Sequence, residues 1–264
     1  MSKAIAYRAS LLSRLGALFV PLTLGWILCW LIPGLWLGNV FALLDGSAPE
    51  NWKAVYVACL YAVIIGSVTW AWKKCGPCLG TDMFRISHVL LGFAFASVLS
   101  CLHWLMIAYG GFCSGAFRWH EVPGLAVTAF LLAAAEEVLF RGYLFGVVSE
   151  EKGPVFSAVS VSLFFAVLHV LRPGSLSFKL AYGAGLFIFG LILCYTVQAS
   201  RGLGLAAGLH SALIVYLSAF PAKSVEAGLF SGLGGEPAAG LFGWVIIACL
   251  AFSVPLARRC GCFR

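Results

Sequence analysis

Apolar residues in this chain neither alternate nor form narrow stripes; they run on unbroken. Between charged or Pro/Gly-rich breaks, the apolar runs fall near residues 15–37, 54–72, 86–109, 122–148, 154–171, 179–199, 203–220 and 238–256. About 20 such residues carry a helix across the hydrocarbon of a bilayer. Most of the runs reach that length, and the fifth and seventh are short. A spanning β-strand would alternate in polarity over about ten residues, and these runs do not. The pattern predicts an all-α fold, a polytopic membrane helix bundle of about eight transmembrane helices. With no long polar stretch, fixed-period repeat or linker, residues 1–264 read as a single membrane domain.

Composition strengthens this reading. The chain is 62% hydrophobic and 10% charged, against about 25% charged in a soluble domain, and its mean hydropathy is +0.99. A soluble enzyme, a secreted disulfide scaffold, a disordered chain and a nucleic-acid-binding module are all excluded on that ground. The net charge of +7 fits basic loops on the cytoplasmic side rather than a polyanionic partner. With eight helices and a cytoplasmic N-terminus, inside segments hold 11 Lys/Arg and outside segments 5, and Arg141 lies within a span. That bias places both termini in the cytoplasm. The basic N-terminus followed by an apolar run has the outline of a signal peptide. The run is too long, and no small-residue cleavage site precedes the next span, so an uncleaved first helix is expected.

The ten cysteines add less than their number suggests. Cys29, Cys59, Cys101, Cys113, Cys194 and Cys249 lie in or beside apolar runs, where a free cysteine acts as a small hydrophobe. Cys75-Gly-Pro-Cys78 spells a redox dipeptide frame, but nothing in the chain supplies the βαβ setting of thioredoxin chemistry, and Gly-Pro also makes an ordinary turn. Cys260 and Cys262 could join that pair in a metal site, though their spacing is unusual for zinc, or carry an acyl chain. A prenylation box is ruled out because the fourth residue from the end is Gly261.

Ionisable residues at membrane depth are the most informative feature. Each costs about 2.5–3.5 kcal/mol on an insertion scale, yet Glu136, Glu137 and Arg141 fall within six residues of the fourth run. Glu137 and Arg141 are spaced i,i+4 with the acid first, the favourable order for a helical ion pair. Glu136 points about 100° away, lacks that local partner, and suits a general base. His169 lies near the end of the fifth run and His210 in the middle of the seventh. His88, His103 and His120 fall near predicted helix ends or in a loop, where a hydrated role suffices. A structural ion pair with backbone-bonded histidines is the plainer alternative, but it does not need so many costly groups.

The order Glu136-Glu137-x-x-x-Arg141, then Phe165-x-x-x-His169, then an isolated His210 resembles the CAAX-protease and bacteriocin-processing family of glutamate-type intramembrane endopeptidases. The resemblance covers roughly residues 120–220, which it marks as the catalytic core, and implies an eight-helix bundle around a buried cavity. It implies that Glu136 and His169 activate a water, that His210 stabilises the oxyanion, and that Arg141 orients the glutamates, chiefly Glu137, with Phe165 in support. It also implies a membrane-anchored protein or peptide substrate, no nucleic acid, and residence in the bacterial inner membrane. Prenylated C-termini, peptide leaders and C-terminal sorting helices all fit as substrates. The family's third motif continues with Asn four residues after the histidine. Here that position is Ile214, so an expected amide donor is missing, and Ser211 or backbone N–H groups are the local substitutes.

Two alternatives to the peptidase stay open. A transporter could use the same groups as a proton relay or anion site, though the first three runs offer no matching set, against the paired repeats common in that class. A degenerate family member could act as a scaffold. No cofactor is expected. Glu and two His could bind zinc, but His-Glu-x-x-His is missing and the two histidines sit on separate runs.

Overall fold

The computed structural model describes residues 10–39, 48–75, 83–113, 118–171, 174–219, 225–259 and 261. Cys78, Cys260 and Cys262 lie outside these, so the thiol pairings considered above fall outside the described residues. The described chain is helical, with isolated β-bridges and no strand. Eight helices occupy the eight apolar runs: α1 (Leu11–Trp36), α2 (Glu50–Cys75), α3 (Ile86–Tyr109), α4 (Val122–Lys152), α5 (Pro154–Val170), α6 (Leu176–Ser200), α7 (Gly204–Ala219) and α8 (Leu241–Arg259). Six are long and apolar enough to cross a membrane; α5 and α7 are shorter. At 1.5 Å per residue these two reach about 25 Å, less than the roughly 30 Å of bilayer hydrocarbon. Both histidines of the candidate site sit on these short helices.

The chain divides into two compact units, Met1–Cys78 and Leu79–Arg264. In the first, α1 packs on α2. Gly25 permits the approach, since a Cβ there would sit 2.5 Å from Val63 Cγ1. Trp26 Nε1 donates to Tyr56 Oη at 3.0 Å, and Trp30, Leu37, Trp52 and Tyr56 gather round Ala48.

The second unit is built on α7, which is buried without a break from Gly204 to Ala212. It packs on α3 over most of its length and on α4. The sequence reason is small residues at a helical spacing, which let two backbones meet in an apolar medium. A Cβ on Gly204 would lie 2.9 Å from Arg85 O, and one on Gly92 would lie 2.5 Å from Leu205 O. Gly208 is tightest, with Val89 O at 2.2 Å and Phe93 N at 2.8 Å from the added carbon. These are backbone atoms and cannot swing aside. Gly208→Ala is therefore expected to destabilise the fold by about 1–3 kcal/mol through overpacking, and to displace His210 two residues on. A lowered unfolding temperature in detergent checks the first effect.

Opposite ends of the helices are fixed by separate devices. Arg118 donates from its side chain to Ser218 O and from its backbone N to Ala219 O, which satisfies carbonyls left open at the end of α7. Ile107, Tyr216 and Ala219 form a core with Trp104, Phe112, Val225 and Phe242. His103, expected to be hydrated, is instead buried in α3, its Nδ1 against Tyr216 Oη. His88 is buried too, while His120 is exposed as expected. Between α4 and α5, Gly153 takes φ +85°, a conformation that favours glycine, and Pro154 opens the next helix at the position where its missing N–H costs nothing. In α8 a tighter turn at Leu250–Phe252 precedes Pro255, whose ring crowds the carbonyl four residues back, Ala251.

Candidate active site

The described cysteines are all free, and only Cys194 is fully buried; Cys59, expected inside, is exposed. The charged cluster behaves differently. Glu136 and Glu137 end the regular part of α4, and a π-helical turn follows over Val138–Leu144. In an α-helix, residues four apart are offset by about 40°; the wider turn reduces that offset and stacks Arg141 close over Glu137. Arg141 Nη1 donates to Glu137 Oε1 at 3.0 Å, and both side chains are wholly buried. The guanidinium also lies over the Phe165 ring, 4.6 Å from its centre, so the expected supporting residue is an aromatic plate against the cation.

Glu137 has a second partner that local spacing could not disclose. His210 Nδ1 lies 2.8 Å from the same Oε1. Glu137 Oε1 already accepts from Arg141, so His210 Nδ1 is placed to donate to the same oxygen, and Nε2 faces the opposite side. His169 presents the same atom. Its Nδ1 is 2.8 Å from Phe165 O, and a carbonyl only accepts, so Nδ1 carries the proton. The two Nε2 atoms then converge on one oxygen, Glu136 Oε2, at 3.9 Å from His169 and 3.7 Å from His210.

Three helices thus deliver one carboxylate oxygen and two imidazole nitrogens to a single locus. Exposure is graded across it: the His169 side chain is 33% exposed, Glu136 14% and His210 8%. The site is open on the His169 side and closed behind His210. A separate apolar cavity of about 110 Å³, lined by Phe93, Ser100, Trp104, Val122, Ala212 and Tyr216, lies on the face of α7 turned away from His210. Residues 117–215 match the family model described as type II CAAX prenyl endopeptidase, Rce1-like.

That segment is similar to the Rce1-like family. It holds Glu136, Glu137, Arg141, Phe165, His169 and His210. No curated protein and no solved structure matches the chain. The Rce1-like segment lies within the second unit, and with six apolar helices of spanning length the chain is an integral membrane protein.

Ser211, a local substitute for the missing amide, donates to Gly208 O at 3.0 Å and is fully buried. Its hydroxyl is turned back onto its own helix and away from the locus. Among the described residues, no group of three or more His, Cys, Asp or Glu side chains is drawn together closely enough to hold a metal ion. Phe189 was not legible in the sequence: it packs its ring on His210, 5.3 Å between centres, but stands in an unremarkable apolar run.

Proposed function

We propose that this protein is an intramembrane endopeptidase that hydrolyses peptide bonds of membrane-anchored proteins or peptides, using a water activated by Glu136 and His169. The observation that carries this reading is the convergence of His169 Nε2 and His210 Nε2 on Glu136 Oε2 at 3.9 and 3.7 Å. Those spans are too long for direct hydrogen bonds and suit a water held among the three atoms. The water loses a proton to Glu136 as its oxygen attacks the scissile carbonyl carbon. His169, the more exposed imidazole, shares that proton and returns it to the amine nitrogen as the C–N bond breaks.

His210 serves the developing oxyanion. With Nδ1 donating to Glu137, a proton on Nε2 makes it a donor on the side of the reaction, and the second carboxylate balances the added charge. Glu137 and Arg141 fix this imidazole and touch no substrate. Because the Ser211 hydroxyl is already committed to Gly208 O, it takes no part: Ser211→Ala is expected to keep kcat within about twofold of wild type, checked by the same cleavage assay. A metal is not required, so turnover is expected to survive chelation. The Lys/Arg distribution supports both termini on the cytoplasmic side of a bacterial inner membrane.

The test is cleavage by purified protein in phosphatidylcholine vesicles of three probes: a farnesylated CAAX-type peptide, a leader-bearing peptide and a single-span peptide with a C-terminal sorting helix. Mass spectrometry is expected to show one of them cut at a single bond, with loss of cleavage in Glu136→Gln, His169→Ala and His210→Ala. Cleavage that is undiminished in Glu136→Gln sinks the mechanism.

A further inference from the structure

Building on the peptidase reading, we infer that Phe189 is a positioning residue that sets the orientation of the His210 ring. The imidazole sits between two phenyl rings from different helices. Phe165 of α5 meets it at 6.0 Å with planes 81° apart, and Phe189 of α6 at 5.3 Å with planes 80° apart. The two phenyl rings are themselves 6.5 Å apart, and both side chains are buried, at 1% and 3% exposure. Phe165 is further engaged by Arg141 and by the His169 ring, 4.3 Å away. Among the described residues no cation lies over Phe189, and its ring contacts are with His210 and Phe165.

The function of His210 depends on which way its plane faces. Rotation about the last side-chain bond of histidine is broad and roughly two-fold, so the bond itself does not choose between Nδ1 and Cδ2 facing Glu137. Reversal would put a carbon against Glu137 Oε1 and carry Nε2 away from Glu136. The hydrogen bond to Glu137 selects one orientation, and two rings held nearly perpendicular to the imidazole leave a single slot for its plane. Phe165 is tied into the motif, but Phe189 reaches the site from α6, whose other contributions are Gly190, packed on Ser162, and Cys194, 3.8 Å from Ser162 Oγ. Removing the Phe189 ring while keeping an apolar side chain opens a second slot.

The experiment reads the ring directly. Protein labelled with ¹⁵N-histidine is prepared in lipid nanodiscs, and the His210 signals are assigned by their loss in His210→Ala. Wild type is expected to show one His210 species, protonated at Nδ1. Phe189→Leu is expected to show a second species and to lower kcat about tenfold with KM within about twofold. Phe189→Tyr, which keeps the ring, is expected to return a single species and most of the rate. Ile107→Ala, a core truncation in α3 against Tyr216 and Ala219, controls for lost stability and is expected to leave the His210 signals single. A single unchanged His210 species in Phe189→Leu overturns the proposal, as does a second species appearing equally in Ile107→Ala. If wild type cleaves none of the three probes, the peptidase reading falls, while the histidine spectrum still decides the role of Phe189.

Discussion

Glu136→Gln is expected to lower kcat by about 10²–10⁴ while leaving the fold and substrate affinity close to wild type. The range is that of a positioned general base, and a factor of 10³ corresponds to about 4 kcal/mol of barrier. Glutamine is nearly isosteric and keeps an oxygen in the place of Oε2, so the contacts to His169 and His210 change little in shape. What disappears is the ability to take a proton from water. Glu136 is 14% exposed, and the buried Arg141 is paired with Glu137, so neutralising Glu136 leaves that buried pair in place. The expected pattern is a fallen kcat, a KM within about twofold, and an unchanged unfolding temperature. Single-turnover cleavage beside thermal unfolding in the same detergent checks all three.

Arg141→Met is expected to act the other way, chiefly on stability. Arg141 and Glu137 are both wholly buried, 3.0 Å apart. Replacing the guanidinium by an apolar chain leaves Glu137 as a buried carboxylate with His210 alone beside it. Breaking a buried pair from one side typically costs about 3–5 kcal/mol, against a total of about 5–15 kcal/mol for a folded protein. The variant is therefore expected to be poorly folded and inactive. Arg141→Met combined with Glu137→Gln removes both charges and is expected to recover most of the lost stability, because the cost lies in the uncompensated ion rather than the missing pair. Activity is not expected to return with it, since His210 then lacks the carboxylate that balances its proton. Equal instability of the single and double variants in denaturant titrations would show that Arg141 acts through packing on Phe165 instead.

Much of the fold was legible because charge is so scarce. Each of the eight unbroken apolar runs is one helix, and the breaks between them fell where the helices end, within a few residues. The shortness of the fifth and seventh runs was also visible; that these two helices would carry the histidines of one locus was not, since only packing brings α5 and α7 to α4. Glu136, Glu137, Arg141, His169 and His210 stood out because ionisable groups in apolar runs need a reason to be there. The ion pair followed from i,i+4 spacing. The bond from His210 to Glu137 spans 73 residues, and no local pattern encodes it.

Other features left no sequence signal. The π-helical turn after Glu137 covers Val138–Leu144, and Val-Leu-Phe-Arg-Gly-Tyr-Leu reads as ordinary helix. Phe189 is one of 21 phenylalanines, distinguished only by what lies beside it. His103 was expected near a helix end with a hydrated role, but the bundle covers it, with Tyr216 supplying the partner a buried imidazole requires. Ser211 looked available next to His210, yet a serine inside a helix readily bonds a carbonyl one turn back, and here it does.

The most direct measurement is the mass spectrum of the cleaved probe when purified protein turns it over in vesicles prepared in H₂¹⁸O. If Glu136 and His169 activate water for direct attack, each cleavage places one ¹⁸O in the new C-terminal carboxyl group, none enters the Glu136 side chain, and Glu136→Gln forms product at least about 10²-fold more slowly. Intact substrate with all three probes, or ¹⁸O accumulating in Glu136 with turnover, as hydrolysis of an acyl-enzyme on that carboxylate would produce, contradicts the water-activation mechanism.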